Sequence, residues 1–306
     1  MPPAPDANPD HAVLSDGAYI AIDWGTTNRR AYLIAADGRM LATERDDRGV
    51  LAMGAGDYPA AIAALRTRFG TLPVIAAGMV GSTRGWREAP YVPAPADLAT
   101  LAAQATRITE ADVAIVPGVS LATGPRADVM RGEEVQVLGA IAAGLAPVDA
   151  LFCQPGTHNK WVFTKDARIT DFATAMTGEL FALLRGHGIL AGMLDGPVED
   201  GPAFREGLVR GSGACDLPAA LFEIRAGVLL GRRAPEDAAA FASGLLIGAD
   251  VGAVAGIPGG TVHLLAGGAL GDLYAIAIAQ RGGTVIPVDS HAAFLAGIHQ
   301  IQEHLA

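Results

Sequence analysis

Asp23 ends an apolar run, Ala18-Tyr-Ile-Ala-Ile-Asp23, and the turn Gly25-Thr26-Thr27-Asn28 follows almost at once. A carboxylate in that position can hold Mg²⁺ directly or through water, while turn amides and the Thr26 and Thr27 hydroxyls meet phosphate oxygens. In isolation the same letters describe a strand whose Asp caps its own turn, and for a single copy that plainer reading is the better one. The chain carries a second copy. Gly156-Thr157-His158-Asn159-Lys160 lies over Gly25-Thr26-Thr27-Asn28-Arg29, and Asp166-Ala167-Arg168 over Asp37-Gly38-Arg39. Two opposed hairpins of this kind can grip the terminal phosphates of a nucleotide from both sides. Neither is a Walker loop, because no Gly-Lys-Ser or Gly-Lys-Thr follows a glycine-rich turn.

Arg131-Gly132-Glu133-Glu134 opens a helical pattern, where carboxylates are favoured by the helix dipole. Transfer of a phosphoryl group to an alcohol needs a carboxylate near the attacking hydroxyl, and Glu133 is the first choice for that base, Glu134 the second. Capping alone explains an acidic helix start equally well. Ala266-Gly267-Gly268-Ala269 follows a strand and begins a helix, so its backbone can border a flat base such as adenine, although a close strand-to-helix turn needs the same glycines. The segment Ala77 to Tyr91 combines glycine hinges with Ser82, Arg84, Trp86, Arg87, Glu88 and Tyr91. It suits a polar substrate bearing a carboxylate, with Arg as a bidentate clamp; its plainer alternative is a surface loop anchored by one Trp. His158 and His263 lack the spacing of a metal cage and are read as locally hydrogen-bonded, and Trp161 as core.

The elements that must position these groups form a repeated order. Strands are expected at 18–23, 30–36 and 39–44, a helix at 58–69, strands at 72–77 and 111–116, and a linking helix at 133–143. The second half opens alike, with strands at 151–154, 161–164 and 168–172. Helix follows from 177 to about 255, then a strand at 261–265, a helix at 270–280, a strand at 284–288 and a last helix at 290–305. Residues 1–17 read as a disordered tail, 18–145 as one α/β domain and 146–306 as a related second one, with a cleft between them.

Composition sets the outer bounds. The 306 residues are 51% hydrophobic and only 18% charged, with 39 glycines, which suits buried parallel strands and many tight turns. A formal net charge of −10 argues against nucleic acid or an anionic membrane as a general partner. Apolar runs are short and interrupted, so no membrane span is expected. With Cys153 and Cys215 as the full thiol complement, no disulfide framework is expected, and a reducing cytoplasm fits.

The order Asp23-x-Gly25-Thr26-Thr27, Gly132-Glu133, Gly156-Thr157, Gly267-Gly268 and a closing Ala292-Ala293-x-x-Ala296-Gly297 resembles the actin-like ATPase and sugar-kinase superfamily. Ile22-Asp-Trp-Gly-Thr-Thr-Asn28, Gly78-Met-Val-Gly-Ser82, Gly85-Trp86, Met130-Arg-Gly-Glu-Glu134, Pro155-Gly-Thr-His158, Lys160-Trp161 and Met176-Thr-Gly-Glu-Leu180 resemble, more narrowly, the 2-dehydro-3-deoxygalactonokinases. The resemblance runs from about Tyr19 to the C-terminus. It implies two duplicated ribonuclease-H-like domains flanking a nucleotide cleft. It also implies ATP and Mg²⁺ as cofactors, and phosphorylation of 2-dehydro-3-deoxy-D-galactonate at its terminal hydroxyl in the breakdown of galactose through galactonate.

On that resemblance Asp23, Gly25, Thr26, Thr27, Gly156, Thr157 and His158 meet the phosphates, with Asp23 also the metal ligand, and Gly267 and Gly268 border adenosine. Arg30, Arg84 or Arg131 meets the substrate carboxylate, with Ser82, Trp86 and Tyr91 nearby. Many sugar kinases have Gly-Asp at the linking helix where this chain has Gly132-Glu133, which leaves Glu134, Asp171 or Glu179 as alternative bases. A different sugar-acid kinase, a phosphatase or ATPase of the same fold, and a non-catalytic sugar sensor are the rival readings. The oligomeric state is left open, a homodimer included.

Overall fold

A computed structural model describes residues 16–54, 56–124, 126–213 and 216–305. The expected tail falls almost entirely outside the described residues, as does Cys215. The chain divides into two compact units, the first running to Val148 with Lys165–Asp171 and the terminal helix added, the second made of Asp149–Thr164 and Phe172–Asp289.

Unit 1 contains β1 (Gly17–Trp24), β2 (Arg29–Ala35), β3 (Met40–Asp46), α1 (Asp57–Phe69), β4 (Val74–Gly78), β5 (Tyr91–Pro93), α2 (Leu98–Ala103), β6 (Thr106–Ile108), β7 (Val113–Ile115), β8 (Gly118–Leu121), β9 (Asp128–Met130) and α3 (Glu133–Ala142). Its main sheet has the order β3-β2-β1-β4-β7-β6. The run Tyr19-Ile20-Ala21-Ile22 is buried without alternation, as a central strand covered on both faces must be. The β1–β2 hairpin sets Asp23 opposite Arg30 and Trp24 opposite Arg29, while β4 runs parallel beside β1 and reaches Gly78 at the level of Trp24. Strand ends carrying the candidate residues therefore gather at one end of the sheet, where β1 and β4 terminate. A second sheet, β5-β8-β9, was not expected from the sequence. Its strands are three or four residues long, too short to show a period.

Unit 2 contains β10 (Ala150–Gln154), β11 (Asn159–Lys165), β12 (Arg168–Ala175), α4 (Thr177–Gly186), α5 (Pro202–Ser212), α6 (Leu217–Leu229), α7 (Ala238–Gly252), β13 (Thr261–Leu264), α8 (Gly268–Gln280) and β14 (Thr284–Pro287). Its sheet order is β12-β11-β10-β13-β14. The two units share one plan: an antiparallel hairpin, β1–β2 or β10–β11, followed outward by two parallel strands, β4 and β7 or β13 and β14. The letter repeat thus coincides with a repeat of topology.

Two expectations need correction. The helical stretch from 177 to about 255 is four α-helices, because Pro202, Pro218 and Pro235 each sit in an opening turn and forbid continuation from the preceding residues. The assignment of 146–306 to one domain also differs from the packing. The terminal helix Ser290–Leu305 belongs with unit 1, where Tyr19 and Tyr32 hydroxyls meet His299 and His291 Nδ1, each at 3.2 Å. Gly139 of α3 and Gly297 leave no room for a Cβ against the facing backbone, so the two helices touch main chain to main chain. The segment Lys165–Asp171, which includes the first half of β12, joins the same unit through the paired backbones of Ala96 and Ile169. A linear reading has no signal for chain that returns in this way.

Candidate active site

The Gly25–Asn28 turn is held from behind. Carbonyl oxygens of Gly25, Thr26 and Thr27 accept from the amides of Val50, Leu51 and Gly49 at 3.0, 3.1 and 3.3 Å. Drawing three carbonyls inward leaves the Thr26 and Thr27 side chains exposed, and their amides have no hydrogen-bond acceptor among the described residues. Outward amides and hydroxyls in a tight turn form an anion-binding concavity. Gly49 makes the support possible, since a Cβ there would overlap the Thr27 backbone.

Asp23 is half-buried beside this turn, with Arg30 Nη1 at 3.9 Å from Oδ2. Burial raises its carboxyl above the ordinary carboxylate range; Arg30 opposes the shift, the Glu133 charge adds to it, and His291 lowers it slightly. Glu133 and Asp23 therefore act on each other electrostatically.

The two glutamates of the α3 start differ in role. Gly132 takes φ +108°, a backbone state that favours glycine, and turns the chain into the helix. Glu134 is fully buried and both its oxygens accept from the Gly132 amide, at 2.8 and 2.7 Å. Burial, then the charge of Glu133, pushes its carboxyl up to about 8. Glu133 stays half-buried, with Oε2 accepting from the Arg131 amide at 3.1 Å. Asp171, the other candidate base, stands exposed on β12 with Oδ1 accepting from Arg126 Nη2 at 2.8 Å.

The Ala77–Tyr91 loop is anchored more than it is open. Trp86 stacks on Tyr58 with ring centroids 5.8 Å apart, and Tyr58 tilts against Trp24, so Trp86 is tied to the core of unit 1. Ser82 Oγ donates to the Met79 carbonyl at 2.7 Å and closes the local turn. The Arg131 guanidinium is buried over the Tyr91 ring, 4.3 Å from its centroid, and donates to the Ala89 carbonyl at 2.8 Å. These contacts brace the loop, while Nε and Nη1 of Arg131 are buried without a hydrogen-bond partner among the described residues. Of the expected guanidinium groups, Arg84 is exposed and Arg30 partly so.

Unit 2 repeats the support in its own residues. The Thr157 carbonyl accepts from the Glu179 amide at 2.9 Å, and a Cβ on Gly178 would stand 2.5 Å from the Gly156 oxygen. Gly178 does for this turn what Gly49 does for the first. His158 Nε2 meets Glu179 Oε2 at 2.7 Å, so Glu179 is engaged with the turn as a partner of His158. Beside Gly156 lies a cavity of about 330 Å³ whose walls include Gly178, Phe181, Ala269, Leu270 and Tyr274. It is mostly apolar and of the size that small flat ligands occupy. Gly267 and Gly268 precede its Ala269 wall, with open space where side chains would be.

Residues that support these turns carry little signal in the sequence. Gly49 lies outside every quoted motif, whereas Gly178 falls within Met176-Thr-Gly-Glu-Leu180, though without a role there. His291 and Tyr274 lie on later helices and have none, because only packing brings them beside Asp23 and to the cavity wall. No cluster of three or more metal-ligating side chains occurs among the described residues, and none of their helices is long and apolar enough to cross a membrane.

Comparison with known proteins follows the same lines. The model of the family described as 2-keto-3-deoxy-galactonokinase matches residues 23–301. A 2-dehydro-3-deoxygalactonokinase of Escherichia coli (strain K12) is 40% identical over 293 residues, covering 94% of this chain and 98% of that protein. A crystal structure from Sinorhizobium meliloti, described under the same enzyme name, superposes with a TM-score of 0.84 at 38% identity, covering 93% of this chain and 96% of that one. Component A of the (R)-2-hydroxyglutaryl-CoA dehydratase of Acidaminococcus fermentans aligns with a TM-score of 0.50 at 13% identity, over 94% of this chain and 99% of that one, a likeness of fold alone. The fold is α/β, of the actin-like ATPase and sugar-kinase type, and the chain belongs to the 2-keto-3-deoxy-galactonokinase family.

Proposed function

We propose that the protein transfers the γ-phosphoryl group of ATP to the terminal 6-hydroxyl of 2-dehydro-3-deoxy-D-galactonate, a step of galactonate breakdown in the cytoplasm. The observation that carries this is the pairing of a half-buried, electrostatically linked Asp23 and Glu133 with an outward-facing Gly25-Thr26-Thr27 turn. Family membership supplies the acceptor: the relatives above are named for that acid.

Each unit has a part. In unit 2, Gly156, Thr157 and His158 meet phosphate oxygens, and the cavity beside them, entered past Gly267 and Gly268, takes adenine. In unit 1 the Thr26 and Thr27 amides and hydroxyls orient the transferring group. Glu133 accepts the hydroxyl proton as the oxygen attacks, with its own carboxylate steadied by the Arg131 amide. Arg84 or Arg30 meets the acid's carboxylate.

Mg²⁺ fits Asp23 on donor chemistry, since the side chain is a hard carboxylate oxygen donor whose anionic form is disfavoured by burial and by the Glu133 charge, a penalty that a divalent cation would offset. Such an ion supplies charge neutralisation on the phosphates. A phosphatase or ATPase of the same fold would turn over ATP without an added acid. The test is incubation with ATP and a panel of sugar acids, with the product assigned by phosphorus NMR. A phosphate ester at the terminal carbon of 2-dehydro-3-deoxygalactonate is expected; equal ATP hydrolysis with and without the acid would contradict the proposal.

A further inference from the structure

Asp250, on the buried helix α7, is 7% exposed and accepts four hydrogen bonds. Asn159 Nδ2 at 2.8 Å, Thr177 Oγ1 at 2.8 Å and Tyr274 OH at 2.6 Å reach its Oδ2, and Trp161 Nε1 at 2.8 Å reaches Oδ1. The donors have a shared geography. Asn159 begins β11 immediately after the Gly156-Thr157-His158 turn. Thr177 begins α4, whose Gly178 and Glu179 pack on and bond to that turn. Tyr274 and Thr177 both line the 330 Å³ cavity. One carboxylate therefore joins the turn, the helix start that supports it and the wall of the adjacent cavity.

The chemistry of the junction is exacting. A buried carboxylate with two oxygens can accept from all four donors at once, and each donor left without it would be a buried polar group lacking a partner. An amide at position 250 offers one oxygen and one N–H₂, so whichever way it faces, at least one donor meets another donor. Asn159 is itself fixed in orientation, because Cys153 Sγ donates to its Oδ1 at 3.5 Å while its Nδ2 is turned to Asp250.

We propose that Asp250 is a positioning residue for the nucleotide, coupling the Tyr274 wall of the cavity to the placement of the Gly156-Thr157 turn. The proposal rests on the assignment of adenine and phosphate to unit 2. Asp250 itself touches neither; it acts through Asn159, Thr177 and Tyr274.

The experiment is calorimetric titration of ADP into the parent protein, Asp250→Asn, Tyr274→Phe, Asn159→Ser and the Tyr274→Phe/Asn159→Ser double variant, with steady-state kinetics beside it. In Asp250→Asn the ADP dissociation constant should rise about tenfold or more. The KM for ATP should rise with it while the KM for the sugar acid stays within about twofold. The two single substitutions should weaken ADP binding less than multiplicatively when combined, since both act through one carboxylate. An Asp250→Asn protein with parental ADP affinity and only a lowered melting temperature would overturn the proposal, as would single effects that multiply. If Asp250→Asn does not fold, the two single variants and their combination decide it alone. A parent that binds no ADP contradicts the nucleotide assignment itself, and that shows in the first titration, before any variant is compared.

Discussion

Glu133 raises the proton affinity of Asp23, so the first residue of the linking helix and the acid near the end of the first strand act on each other electrostatically. In the proposed reaction the two divide the work: Asp23 faces the metal and phosphates, Glu133 the acceptor hydroxyl. Burial is the larger cause of the Asp23 shift, which makes the site one that favours arrival of a cation.

Glu134 should set a pH dependence of stability. Its folded carboxyl holds its proton to about 8, well above the ordinary glutamate value, so the unfolded chain ionises first as pH rises. The stability contribution is present at pH below the unfolded value and is lost as pH climbs toward 8, by at most about 1.4 kcal/mol per pH unit. Urea unfolding from pH 5 to 8 should show the parent losing stability relative to Glu134→Gln; parallel curves would remove Glu134 as the cause.

Gly49→Ala should loosen the first phosphate turn. The new methyl must displace the Thr27 backbone, at a cost of about 1–3 kcal/mol. Thermal unfolding should register that loss together with a raised KM for ATP. Gly56→Ala, where nothing lies within 4 Å of the added carbon, should leave both unchanged. Unaltered ATP kinetics in Gly49→Ala would separate the turn from phosphate binding.

Arg84→Gln should raise the KM for the sugar acid about tenfold or more while the KM for ATP moves little, as expected for loss of a charge-assisted pair to a carboxylate. Trp86→Ala should instead lower the melting temperature by removing the Tyr58 stack. Initial rates varied in each substrate distinguish the two. A sugar-acid KM unchanged in Arg84→Gln but raised in Arg30→Gln would move the carboxylate contact to Arg30.

Much of the fold was legible because the residues that show it are local. Asp37-Gly38 marks a hairpin, Tyr19 to Ile22 a buried strand, and the Gly25 and Gly156 turns repeat in letters as well as in topology. The terminal helix could be seen as a helix but not as part of unit 1, since Gly297 and His299 reveal their neighbours only when packed. Arg131 shows the same limit at the site. The sequence shows a guanidinium in a functional-looking motif but neither the Tyr91 ring beneath it nor the Ala89 carbonyl it holds. The sequence ranks Glu133 ahead of Glu134 as base without any sign of their burial, which differs: Glu134 is fully buried and Glu133 half-buried.

The central claim is that Glu133 is the base of an acid-dependent phosphoryl transfer. The measurement is coupled ADP release with and without 2-dehydro-3-deoxy-D-galactonate, for the parent and Glu133→Gln, with ADP affinity measured alongside. The parent should release ADP only with the acid, and Glu133→Gln should lose about 10²–10⁴-fold in kcat with ADP binding retained. Full turnover in Glu133→Gln, or ADP release by the parent that ignores the acid, would contradict it.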